Sequence, residues 1–187
     1  MSIRRIATLQ QPIPLEAAKL HLRVDGDAED ADIALKLAAA VAAAEHETGR
    51  SIARTRWELR LDAFPREIRL PRPPLAEVES VEYINADRQL VTLAPEAYVP
   101  DDASEPAWLL PAFGGAWPDT ARAANAVRVR YVAGYGEACP PNLAAWILIR
   151  LGDMYRQRES INIGGSQRMD SVAYHDRLLD EYRIWSA

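Results

Sequence analysis

Thr55-Arg56-Trp57-Glu58-Leu59-Arg60-Leu61 alternates charged and apolar side chains with a period of two. Trp57, Leu59 and Leu61 share one face and Arg56, Glu58 and Arg60 the other, which is the pattern of a β-strand with one side buried. Val127, Val129 and Tyr131 alternate with Arg128 and Arg130 in the same way. Between these two runs the sequence predicts a short strand at 67–70 and a hairpin of 78–84 with 89–93, turning at Asn85-Ala86-Asp87-Arg88. Short strands are also expected at 98–100 and 108–110. Pro71, Pro73 and Pro74 hold the chain extended between the first and second runs.

Outward from this region the period changes to that of a helix. Residues 14–22 open on Pro14, tolerated in a first helical turn, and place Leu15, Ala18 and Leu22 on one side. Asp25-Gly26-Asp27 breaks that helix, and Asp27 is positioned to cap a second one running to Thr48, with Gly49 as its stop. Glu29, Asp30 and Asp32 suit the positive end of its dipole. Ile33, Leu37, Val41 and Ala44 form its apolar stripe. The alanines at 38–40, 42 and 43 leave it smooth enough for close neighbours, including another subunit.

Downstream, Pro140 and Pro141 open a third helix with a stripe of Leu143, Ile147, Leu151 and Met154. A loop is expected at 161–169 around Gly164-Gly165. Ser171 can cap a tail helix whose Leu178, Tyr182 and Trp185 share a face. The fold class is therefore α+β. Residues 1–54 plus 138–187 are expected to form a helical bundle, and 55–137 a β-rich subdomain inserted into it.

The 187 residues are 49% hydrophobic and 26% charged, with a net charge of −5, ordinary values for a globular chain. An overall negative charge argues against general affinity for nucleic-acid phosphate. Lys19 and Lys36 are the only lysines among 22 basic residues. Arginine favours planar pairing with carboxylates at interfaces; a GC-rich genome would produce the same bias. Cys139 is the sole cysteine, so no intrachain disulfide can form and a reducing compartment is expected. No apolar run follows Met1-Ser2-Ile3-Arg4-Arg5, so no signal peptide is expected. The apolar stretch at 38–44 is too short to span a bilayer. Synthesis in the cytoplasm without a membrane partner is the expectation.

Candidate chemical sites fail one by one. The acids Asp25, Asp27, Glu29, Asp30 and Asp32 miss the calcium-loop pattern, since the sixth and twelfth places hold Asp30 and Lys36. Gly164-Gly165-Ser166 lacks the lysine of a phosphate loop. Cys139 has no histidine near it in sequence, and His21, His46 and His175 are isolated. Asp101, Asp102 and Glu105 read as a solvated turn. No catalytic residue, cofactor site or metal site is expected. The arginines at 50, 54, 56, 60, 66, 69 and 72 form the strongest charge feature, able to meet DNA phosphate or an acidic protein face.

Three stretches together resemble the head–tail connector (adaptor) proteins of long-tailed bacteriophages, prophages and gene transfer agents. The first is Pro14-Leu15-Glu16-Ala17-Ala18-Lys19-x-His21-Leu22-Arg23-Val24-Asp25, continuing through the alanine-rich helix to Thr48-Gly49-Arg50. The second is Leu70-Pro71-Arg72-Pro73-Pro74-Leu75-x-x-Val78-x-Ser80-Val81-x-Tyr83, with Ser104-Glu105-Pro106 and Trp117-Pro118 after it. The third is Val129-x-Tyr131-Val132-Ala133-Gly134-Tyr135-Gly136, followed by Pro140-Pro141 and the helix to Glu159. The resemblance covers about residues 12–160.

It implies a non-enzymatic structural part, a ring of usually twelve copies beneath the portal protein. The ring would extend the DNA channel, without sequence-specific binding, and dock the next neck protein (a stopper or tail-completion protein). It implies assembly in the bacterial cytoplasm and residence in the particle neck. It also implies that the C-terminal segment, with Leu178, Tyr182, Arg183 and Trp185, meets the portal. Arg54, Arg56 and Arg60, with Asp27 and Asp30 of a neighbour, are the expected subunit contacts. The alternative reading is a nucleic-acid-binding accessory of DNA packaging.

Overall fold

A computed structural model describes residues 1–156 and 177–184. It is α+β, and its chain divides into two units, one of residues 1–10 with 53–135, the other of 11–52 with 136–187.

The first unit is built on the two alternating runs. Strands β1 (Ser2–Gln10), β2 (Arg54–Leu61), β4 (Leu75–Ile84), β5 (Leu90–Thr92) and β8 (Val127–Ala133) form an antiparallel sheet in the order β1-β2-β8-β4-β5. Strands β3 (Ile68–Arg69), β6 (Tyr98–Asp101) and β7 (Trp108–Pro111) form a second sheet, ordered β3-β7-β6. The hairpin expected around residues 85–88 is present, with Glu82 opposite Thr92 and Ile84 opposite Leu90. Trp57, Leu59, Val81, Val127, Val129 and Tyr131 from the larger sheet share one core with Ile68 and Leu109 from the smaller and with Leu70 just after β3. Burying each large apolar side chain contributes roughly 1.5–3 kcal/mol, so this shared face holds the two sheets together.

Two details fix that core. The Tyr131 hydroxyl, fully buried, donates to the Pro71 carbonyl at 2.7 Å. Burial pushes its pKa up, so it stays a neutral donor. Gly134 ends β8 with φ +113, and a Cβ there would lie 2.1 Å from the Ala53 carbonyl oxygen. Only glycine permits that approach.

The expectation that residues 1–54 open the helical body differs from the structure at its start. Ser2–Gln10 is an edge strand paired with β2, Arg4 opposite Glu58 and Ser2 opposite Arg60. Register shifts between Arg5 and Ala7 and between Thr8 and Gln10 interrupt its alternation, which is why its sequence lacks a clean strand period.

The second unit holds helices α1 (Leu15–Leu22), α2 (Asp30–Thr48) and α3 (Pro141–Arg156), with a 3-10 helix at Arg177–Tyr182. The α2 stripe Ile33, Leu37, Val41 and Ala44 is buried, as are Leu143, Ile147 and Leu151 of α3. Gly49 takes the left-handed conformation at φ 73 and stops α2. Asp27 does not cap it with its side chain. Its carbonyl instead accepts from the Asp30 N–H in a turn, and the helix begins three residues later. Lys19 bridges α1 to α2 through Asp30 at 2.7 Å, and the Tyr155 hydroxyl ties α3 to Glu29 at 2.9 Å. The loop expected at 161–169 and the first turns of the tail helix lie outside the described residues.

Candidate functional site

The β2 and β8 strands turn their charged residues to the sheet face opposite the core. Register sets Glu58 between Arg4 on β1 and Arg130 on β8, and Arg60 opposite Arg128. Glu58 is only 1% exposed and is the hub of this face. Its Oε1 meets Arg60 Nη2 at 2.7 Å and Arg4 Nε at 3.2 Å, while Oε2 accepts from Arg130 Nε at 3.1 Å. Arg128 and Arg130 reach on to Glu82 at 3.4 and 3.5 Å. Arg56 grips both oxygens of Glu79 at 2.7 Å.

Burial alone would push the Glu58 carboxyl up. Hydrogen bonds from Arg60 and Arg130, with the charges of Arg60 and Arg4, outweigh it and hold the group below the usual carboxylate range. The face therefore works as a rigid charged lattice. Its five arginines exceed its three glutamates, which leaves a positive surplus for an acidic partner.

The arginines that stood out in the sequence do not form one patch. Arg56 and Arg60 lie in the lattice, whereas Arg66 and Glu67 pair at an exposed site. Arg54 sits half-buried on β2, opposite Gln10. Arg72, at φ 66, and Arg5 each stack over the Trp57 ring, at 5.6 and 5.2 Å from its centre. Arg50 belongs to the helical unit, where it is buried. Asp27 is exposed, and Asp30 is engaged by Lys19. Lys36 pairs with Asp32 one turn away. The sequence places Glu58 on the charged face of its strand but not as a hub; its partners Arg4, Arg128 and Arg130 come from strands whose register the sequence does not reveal.

A second surface lies at the tail. Arg50 Nε donates to the Tyr182 carbonyl at 2.6 Å, and its guanidinium lies 6.0 Å from the Tyr182 ring centre. The Ile184 N–H donates to the Thr48 carbonyl at 2.9 Å, and Asn142 Nδ2 to Glu181 at 2.9 Å. Arg183 faces Glu47 at 3.7 Å and Asp180 at 3.4 Å. Leu179 is fully buried, while Leu178, Tyr182 and Arg183 are half-buried. Of the four tail residues expected at a partner contact, Trp185 lies outside the described residues. The other three are gathered on this docked segment.

Cys139 is half-buried, and burial pushes its thiol up to about 11, far from a nucleophile's range. Among the described residues no helix is long and apolar enough to cross a membrane.

Comparison with known proteins bears out the resemblance. Residues 12–92, under half of the chain, match the family of phage gp6-like head–tail connector proteins. A chain in the neck of an empty gene transfer agent particle, computed with C6 symmetry, shares the fold at a TM-score of 0.78 and 24% identity. A chain of a native gene transfer agent virion does so at 0.78 and 22% identity. A third, from the neck of a native particle computed with C12 symmetry, has a TM-score of 0.71 and 22% identity. Each alignment covers 100% of this chain and 97% of the other. No curated protein matches in sequence. These likenesses show a shared fold across the whole chain.

Proposed function

We propose that this chain is a ring subunit of a phage-like neck, seated beneath the portal, where it extends the DNA channel and docks the next neck protein. The observation that carries this reading is the whole-chain likeness to neck chains, joined to a connector-family match over residues 12–92. The cyclic symmetry of those necks supports a ring, twelvefold by analogy with the C12 particle. In this reading the helical unit is the connector body and the β unit an insertion in it. The chain assembles in the bacterial cytoplasm and ends in the particle neck, and DNA passes without sequence-specific contact.

The portal is met by the tail surface of Leu178, Tyr182 and Arg183, continued by Trp185. Burial of Leu179 and the Arg50 bond hold that surface in place before any partner arrives, which lowers the ordering cost of binding. Neighbouring copies meet through Arg54, Arg56 and Arg60 on one side and Asp27 and Asp30 on the other. Two different surfaces give the head-to-tail contacts that a ring needs. The decisive experiment images particles and co-purifies the full chain with portal protein. A ring of this chain under the portal is expected, with portal binding lost in a Tyr182→Ala/Arg183→Ala variant that still folds. A neck without this chain overturns the reading.

A further inference from the structure

Residues 112–115 form a tight turn after β7. The Gly115 N–H donates to the Ala112 carbonyl at 2.8 Å, and Gly114 supplies φ +74. Phe113 sits at the turn's first central position with a relative exposure of 108%, so none of the described residues covers it. The base beneath it is fixed. The Ala112 N–H donates to the Ala97 carbonyl at 2.9 Å. Trp117 stacks on Phe64 with ring centres 4.8 Å apart and planes 4° from parallel, and donates through Nε1 to the Arg66 carbonyl at 3.2 Å. An aromatic side chain held out on a rigid base contributes nothing to its own core. It has the form of a pre-organised binding anchor.

The same unit carries a seat of matching chemistry. An open cavity of about 570 Å³ lies between the β4–β5 turn and residues 120–123. Ile84, Ala86, Ala121 and Ala123 give it small apolar walls, and Arg88 and Arg122 line it as exposed cations. Its two sides are joined by the bond from the Ala121 N–H to the Ile84 carbonyl at 2.8 Å. Apolar walls with guanidinium groups suit an aromatic ring, through contact and through cation–π attraction. They disfavour a cationic side chain.

We propose that Phe113 of one copy seats in the cavity lined by Arg88 and Arg122 of the next. The knob and the hole are different surfaces of one molecule, so the contact is heterologous and passes from copy to copy around a closed ring. It rests on the ring reading above and names one contact within it.

The test uses the full chain in assembled particles, with Cys139→Ser removing the native thiol. Ala112→Cys and Ala123→Cys are introduced together, so that Phe113 itself stays in place, and bridged with a short bis-maleimide, because a seated ring leaves the two Cα atoms too far apart for a direct disulfide. A ladder of cross-linked multimers is expected from the double variant and none from either single variant. Phe113→Ala, with an unchanged melting temperature, is expected to weaken association between copies about ten- to thirty-fold, and Phe113→Trp to retain it. Rings that form normally with no ladder and no loss in Phe113→Ala would overturn this contact while leaving the ring intact. A cross-link to another particle protein would overturn it too, by placing Phe113 on that partner. Wild-type particles with no ring of this chain would remove the ring reading and this contact together.

Discussion

Arg50 and Tyr182 are joined by a 2.6 Å hydrogen bond from guanidinium Nε to main-chain carbonyl, across 132 residues of sequence. The bond binds the residue just past the end of α2 to the tail. With Leu179 buried beside it, the tail segment is part of the helical unit's structure. Arg50→Ala is therefore expected to cost about 1.5–3 kcal/mol, the range for hydrogen bonds to charged groups. Leu179→Ala should cost about 2–4 kcal/mol as a buried truncation. Urea unfolding of both variants checks this. A tail that mattered only for a partner would leave both midpoints where they are.

Glu58→Gln removes the hub of the sheet lattice and leaves Arg4, Arg60 and Arg130 without their shared anion. Losing one partner of a fully buried pair costs about 3–5 kcal/mol. Here the arginines are 30–60% exposed and can turn to water, so about 2–3 kcal/mol is expected. Denaturant melts of wild type and variant measure it, and a difference below about 0.5 kcal/mol would mean that the lattice is ornamental.

The same carboxyl makes stability depend on pH. Its folded pKa lies below the ordinary carboxylate value of about 4.3, so in acid the unfolded chain binds the proton first. The contribution is fully present above about pH 5 and is lost as pH falls through the depressed folded value. The stability gap between wild type and Glu58→Gln should hold from pH 7 to pH 5 and narrow towards pH 3. A gap as wide at pH 3 as at pH 7 would contradict the assignment.

Gly134→Ala is expected to be severe. The new Cβ would meet the Ala53 carbonyl at 2.1 Å, from a φ of +113 that side chains avoid. Strain and overpacking together should cost about 3–5 kcal/mol. Circular dichroism melts and soluble yield report it directly. A near-normal melting temperature would show that β8 can move away from the Ala53 segment at little cost.

Legibility in the sequence followed the reach of each interaction. β2, β8 and the stripe of α2 were readable because their signal is local periodicity, and Gly49 marked the end of α2 for the same reason. β1 escaped because two register shifts spoil its alternation. Glu58 escaped as a hub because its four arginines come from three strands. Which residues face one another across a sheet is decided by pairing, not by composition. Arg50 looked like one more member of a basic series, yet its partner is a carbonyl 132 residues away. Side-chain chemistry at position 182 carried no trace of that bond.

The interleaving of the two units along the chain has a consequence for synthesis. Strand β2 lies between β1 and β8, and β8 is made only after residue 126. Helix α2 likewise waits for α3, which begins at Pro141. A ribosome therefore releases most of the polypeptide before either unit can close, and β2 meets β8 only across long loops that slow folding. Nascent chains expose unfinished edges for most of their elongation. Until β8 and α3 emerge, β2 keeps one edge unpaired and α2 keeps its buried stripe uncovered, so both units close late and together.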